Sequence, residues 1–241
     1  MLESKLNYCF VFARGGSKGL PGKNLLPIKG IPLVGHSIEI AKKINHINRV
    51  FISTDSEEIA EVGRLFGAEV IERPEHLASD TASEWKAWKH AIKHVEKKYG
   101  SFDQFISLPA TAPCRRYIDV RRCMQALVDD VDMVITTTNS HRNPWFNMVT
   151  KNSEGYAQLV NTSQGFNRRQ DSPECEDMAT VAYIARPSFI NNNKSMWDGN
   201  VKAIKVPQHT AVDIDTFYDY SVAKMLMESP GLMERLDRLA Q

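Results

Sequence analysis

The residues best suited to chemistry stand in two places far apart in the chain. The first is a glycine-rich run, Ala13-Arg14-Gly15-Gly16-Ser17-Lys18-Gly19-Leu20-Pro21-Gly22-Lys23-Asn24. Its four glycines let backbone N–H groups approach an anion with no Cβ in the way, and Arg14, Lys18 and Lys23 add three cations within ten residues. A polyphosphate needs that combination, because desolvating its charges is costly unless donors replace the lost water. The second place is Asp213-Ile214-Asp215. In an extended segment these two carboxylates point the same way while Ile214 faces the core. Paired hard oxygens, with phosphates completing the shell, suit Mg²⁺, and a cation between the carboxylates relieves their repulsion. Each feature has a blander alternative. Glycine, lysine and proline are ordinary turn residues, and Asp215 stands where an N-cap of the last helix is expected.

The elements around the first loop favour the chemical alternative. Tyr8–Ala13 reads as a buried strand, and the segment 31–44 as a helix whose Val34, Ile38, Ala41 and Ile44 recur at three- and four-residue spacing. Strands follow at 49–53, 68–72, 105–108 and 132–137. Between them come helices at 57–66, capped by Ser56 and closed by Gly67, at 83–98 and at 116–128. Short apolar strands alternating with helices predict a mostly parallel sheet covered on both faces, a doubly wound, Rossmann-like α/β fold. Ligands of such sheets bind beyond the carboxyl ends of the strands, where the loop after the first strand must lie. From about 140 to 200 the rhythm breaks, and this stretch is expected to hold an inserted lobe for dimerisation and sugar binding, with the sheet resuming at 180–185 and 201–206. The last helix follows Asp215. The whole chain, 1–241, is expected to be one domain.

Composition narrows the classes. The 42% apolar and 24% charged fractions are ordinary globular values, and a net charge of +1 removes a global basic field for nucleic acid. Cys9, Cys114, Cys123 and Cys175 include no CxxC pair, so neither a zinc ribbon nor a disulfide framework is suggested. Neither a secretory apolar core nor a membrane-length apolar run is present, so a cytoplasmic protein is expected, with no membrane and no nucleic-acid partner. The loop is neither of two familiar phosphate motifs: GxxxxGK[ST] would need Gly at 17 and Ser or Thr at 24, where Ser17 and Asn24 stand, and GxGxxG is absent.

Six ordered stretches resemble the CMP-sialic acid synthetases, the acylneuraminate cytidylyltransferases, and more loosely the Kdo cytidylyltransferases. They are the loop and its sequel at 13–39, STDSEEIAE at 53–61, RPEHLASDTAS at 73–83, TAPCR at 111–115, RRQDSP at 168–173 and DIDT at 213–216. The resemblance implies that the anomeric hydroxyl of a nine-carbon 2-keto sugar acid attacks the α-phosphorus of CTP and releases pyrophosphate. It implies that Arg14, Gly15, Gly16, Ser17, Lys18, Lys23 and Asn24 hold the nucleotide and its triphosphate, with the ASDTAS segment at 78–83, Ala82 in it, against the base. Arg14, Lys23, Asp213 and Asp215 carry the catalysis, the two aspartates by holding Mg²⁺. Arg169 takes the sugar carboxylate, with Gln170 and Asn147 beside it; a homodimer is expected from the inserted lobe. Glu84 replaces a small hydroxyl residue at a base-contacting position.

Two departures concern the sugar. Pro109 replaces a glutamine that touches the sugar in N-acetylneuraminate-using members, and Asn147, in His141-Arg142-Asn143-Pro144-Trp145-Phe146-Asn147, replaces a lysine. The latter stretch and RRQDSPECEDM look more like the legionaminate-type enzymes. Other classes remain open: a GT-A-like glycosyltransferase using D-x-D, and a non-catalytic nucleotide-binding regulator. His90 and His94 at i,i+4 read as a solvated helix face, Trp85 and Trp88 as packing, and Cys114 and Cys123 lack a base partner.

Overall fold

In the computed structural model, residues 5–162 and 165–240 are described. The chain runs β1 (Asn7–Phe12), a small hairpin of β2 (Pro27–Ile28) and β3 (Ile31–Pro32), α1 (Leu33–Lys42), β4 (Arg49–Thr54), α2 (Glu57–Leu65) and β5 (Glu69–Glu72). It continues with α3 (Glu84–Tyr99), β6 (Gln104–Ser107), α4 (Tyr117–Ala126) and β7 (Met133–Asn139), then a second hairpin, β8 (Val149–Lys151) and β9 (Ala157–Leu159). It closes with β10 (Glu176–Ala185), α5 (Pro187–Asn192), β11 (Val201–Lys205), α6 (Phe217–Glu228) and α7 (Leu232–Leu239).

Seven strands form one sheet in the order β11-β7-β10-β6-β1-β4-β5. All neighbours are parallel except those of β10, which runs antiparallel to both β6 and β7. Alternation along the strands divides the core. Cys9, Val11, Ile52, Ile106, Val134 and Ile184 face a layer with α1, α2 and α4. Phe10, Phe51, Phe105, Met133 and Tyr183 face α3 and α5, where Trp85 and Trp88 pack. The aromatic layer stacks closely: Phe10 lies 5.2 Å from Phe51 and 4.8 Å from Phe105, and Trp88 lies 5.3 Å from Phe105. Burying each such ring contributes about 1.5–3 kcal/mol. The doubly wound, mostly parallel architecture expected from the sequence is therefore the one observed.

Two features position the site. The order reverses at β1, with β4 on one side and β6 on the other, so the glycine loop leaves β1 at the topological switch point. The second feature is a bulge in β10, where the pairing with β7 shifts between Ala179 and Ile184. Thr136 Oγ1 fills the gap, donating to the Ala179 carbonyl at 2.7 Å and accepting from the Ala182 N–H at 3.3 Å. The chain leaves the sheet at residue 140 and returns at Glu176, with the β8–β9 hairpin in that excursion. The expected single last helix is two, α6 and α7, because Pro230 cannot continue α6 and Gly231 turns the chain at φ +68°.

Candidate active site

The DID segment is built from below by the core. Ile214 is fully buried against Ile28, Leu33 and Ala223, and its N–H donates to the Thr111 carbonyl at 2.8 Å. Asp215 is exposed on one side of it, while Asp213 on the other is only partly exposed and keeps one carboxylate oxygen buried. The cap of α6 is Thr216, in a reciprocal capping box with Asp219, so Asp215 is not spent on capping. Gly19 lies directly against this segment: a Cβ there would meet the Asp215 carbonyl at 2.4 Å, so only glycine allows the approach.

Across that contact the loop and the acids meet. Lys23 Nζ donates to the Asp215 carboxylate at 2.8 Å and to the Ile214 carbonyl at 2.9 Å. Arg14 and Lys18 reach instead for Asp80, at 2.7 Å and 2.8 Å. These side chains line one cleft of about 370 Å³, with Ser17, Gly19, Asn24, Ala82 and Thr111 on its walls and Phe12 and Arg73 among its lining. Two loop residues act on the loop itself. Asn24 Nδ2 donates to the Arg14 carbonyl at 3.0 Å, and the Gly15 N–H donates to Asp55 at 2.9 Å. Gly16 has open space around its Cα.

The electrostatics of the cleft are uneven. Burial pushes the Asp213 carboxyl above the ordinary carboxylate range, and Asp215 adds to that; Thr111, Lys23 and Thr180 pull the other way. Asp213 Oδ1 and the Thr180 hydroxyl are both buried without a hydrogen-bond partner. Glu84 is open to water in the cleft yet crowded by protein on the wall. That crowding raises its carboxyl, Asp213 adds to the rise, and Trp88 and Arg73 oppose it. Arg73 is buried over the Phe12 ring and bonded to the Ser53 carbonyl at 2.6 Å, and burial lowers it to about 10, leaving it charged at neutral pH. Arg115, also buried, donates to Ser37 Oγ at 2.7 Å, to the Pro109 carbonyl, and to the Thr180 carbonyl at 3.5 Å. It ties the turn after β6 to the β10 bulge.

The arrangement can hold a chain of phosphates on its cations and a hard cation on its acids. An orphaned, buried carboxylate oxygen at Asp213 is what such a cation would satisfy. Among the described residues no group of three or more His, Cys, Asp or Glu side chains is placed to hold a metal, so the rest of the shell would come from phosphate and water.

Residues 8–176 match the family profile described as Cytidylyltransferase. The chain belongs to the cytidylyltransferase family. It is 33% identical over 231 residues to the post-translational flagellin modification protein B of Campylobacter coli, covering 94% of this chain and 97% of that one. It is 32% identical over 228 residues to the CMP-N,N'-diacetyllegionaminic acid synthase of Campylobacter jejuni, covering 93% and 96%. The solved structure of CMP:2-keto-3-deoxy-manno-octonic acid synthetase complexed with CTP superposes with a TM-score of 0.69 at 20% identity, over 92% of this chain and 98% of that one; at that identity it speaks for the fold.

In this cytidylyltransferase, Arg169 and Gln170 line a separate pocket of about 510 Å³ with Asn139, His141, Arg142 and Cys175. It shares no lining residue with the cleft. Arg169 donates to the Ser140 carbonyl. Asn147 takes no part in that lining; its side-chain oxygen accepts from the Asn143 N–H at 2.7 Å and closes the 143–147 turn. His209 bonds Asp237 on α7 at 2.7 Å and belongs to neither lining. Sequence reasoning left Arg73, Asp55 and Thr111 without roles and placed Asp80 only as part of the segment against the base. Asp80, Arg73 and Asp55 lie inside the quoted stretches 53–61 and 73–83, whose charged residues at the cleft were the available signal.

Proposed function

We propose that this cytidylyltransferase joins CMP from CTP to the anomeric hydroxyl of a nonulosonic acid, such as N-acetylneuraminate or N,N'-diacetyllegionaminate, with Mg²⁺ and with release of pyrophosphate. The observation that carries it is the meeting of Lys23 and Asp215 in a cleft that also holds Arg14 and Lys18. The anomeric oxygen forms a bond to the α-phosphorus as the bond from that phosphorus to the β-bridging oxygen breaks. Arg14 and Lys18 hold the departing phosphates, and Lys23 offsets charge growing on the tail from a side chain that is mostly buried. Asp213 and Asp215 fit Mg²⁺, which when bound neutralises phosphate charge and lowers the pKa of the attacking hydroxyl. Arg169 offers the planar fork suited to the sugar carboxylate, with Gln170 beside it. Asn147 keeps the shape of that wall.

The nonulosonate assignment is supported by the N,N'-diacetyllegionaminate relative, which this chain spans almost end to end. A homodimer through the 140–178 region belongs to the same proposal, supported by Met148, Val149, Tyr156, Val160 and Met178, all exposed there. So does a cytoplasmic location, which free thiols at Cys9, Cys114, Cys123 and Cys175 suit. The test is pyrophosphate release from CTP with N-acetylneuraminate, legionaminate, pseudaminate or Kdo in turn. Turnover with a nine-carbon acid is expected; turnover with Kdo alone, or only with an added acceptor glycan, would refute the assignment.

A further inference from the structure

Arg14 and Lys18 both end on one carboxylate. Arg14 Nη1 donates to Asp80 Oδ1 at 2.7 Å, Lys18 Nζ reaches Asp80 Oδ2 at 2.8 Å, and Arg14 Nη1 also points at the Ala78 carbonyl at 3.4 Å. Each oxygen of Asp80 serves a different cation, as two oxygens on one phosphorus would. Lys18, with Arg14 behind it, holds the Asp80 carboxyl below the ordinary range, so it is ionised at neutral pH. The contact is exchangeable: the Asp80 side chain is 40% exposed and that of Lys18 78%. A phosphate chain settling on the same two cations would bring several negative charges against the carboxylate, and the repulsion excludes shared occupancy.

The segment carrying Asp80 is free to yield. It lies between a short 3₁₀ turn at Glu75–Leu77 and the start of α3, outside the sheet. Its backbone bonds are local, Ala78 N–H to the Glu75 carbonyl and Ala82 N–H to the Ser79 carbonyl. Ser79, Asp80, Ala82 and Glu84 all line the cleft, so a shift of Asp80 reshapes that wall.

We propose that Asp80 is a phosphate placeholder: it keeps Arg14 and Lys18 ordered in the empty cleft, and the incoming phosphates displace it and move the wall formed by 78–83. This rests on the nucleotide reading of the cleft given above. Displacement means that binding is weakened by the strength of the two ion pairs it breaks, and removing the carboxylate returns that loss.

The experiment is calorimetric titration of inorganic triphosphate, and separately of CTP, into the wild-type chain, Asp80→Asn and Asp80→Glu at low and high salt. Asp80→Asn is expected to bind both ligands about 3- to 10-fold more tightly at low salt, the range that two exposed ion pairs allow, with the gain shrinking as salt rises. Asp80→Glu, which keeps the charge, is expected to bind like the wild type. Equal or weaker binding by a folded Asp80→Asn, judged by circular dichroism and its melting curve, overturns the placeholder. So does tighter binding by Asp80→Glu. A wild-type chain that binds neither ligand refutes the nucleotide reading itself, which separates the two failures.

Discussion

Lys23 and Asp215, 192 residues apart in sequence, share a 2.8 Å contact, and the other two loop cations, Arg14 and Lys18, share Asp80. One oxygen of Asp213, by contrast, is buried and unmatched. Its folded-state carboxyl is raised by burial, so this group stabilises the fold most below its ordinary pKa and loses that contribution as pH rises through the raised value. Burial thus weighs against the ionised form of this side chain, the form a metal site would need. Asp213→Asn is expected to keep or raise the melting temperature at pH 7 while losing turnover. A clear fall in melting temperature would show that the carboxylate is structural. Residue types alone pointed to this acid pair and to the three loop cations. They did not point to Asp80 or Arg73, whose roles depend on which chain segment the fold lays across the loop.

Elements explain why the glycine loop and the segment leading into α6 can come so close. Gly19 has no Cβ where one would stand 2.4 Å from the Asp215 carbonyl, and a backbone atom cannot swing aside as a side chain tip can. Gly19→Ala is expected to cost about 1–3 kcal/mol of stability, as overpacking does, and to lower turnover at least tenfold by pushing the loop off the acids. Urea melts and steady-state rates check both; an unchanged rate would mean that this contact does not set the site. Strands such as β1 and β4 were legible because they are short, largely apolar runs, whereas the polar start of β10, Glu176-Asp177, hid its first residues. The bulge in β10 was not legible, because Thr180-Val181-Ala182-Tyr183 reads as an ordinary strand and is displaced by Thr136 from a neighbour. The break between α6 and α7 is written in the sequence as Pro230-Gly231.

At the scale of the whole molecule, a doubly wound sheet presents the cleft at its switch point, and an excursion from 140 to 175 carries a second pocket beside β7. Exposed Val149 and Tyr156 on that excursion are expected to be covered in a homodimer. Light scattering is expected to give twice the chain mass, and Val149→Lys with Tyr156→Glu to give the monomer. A wild-type chain that is monomeric at micromolar concentration would contradict this. The measurement closest to the centre is pyrophosphate release from CTP and a nonulosonic acid by Asp215→Ala across a Mg²⁺ titration, beside circular dichroism of the same protein. The expected result is an intact spectrum with turnover reduced by at least about 100-fold at every Mg²⁺ concentration, as loss of a preorganised charge on a phosphoryl transfer implies. Near-normal turnover at saturating Mg²⁺ would show that the acids beside Lys23 do not serve the reaction.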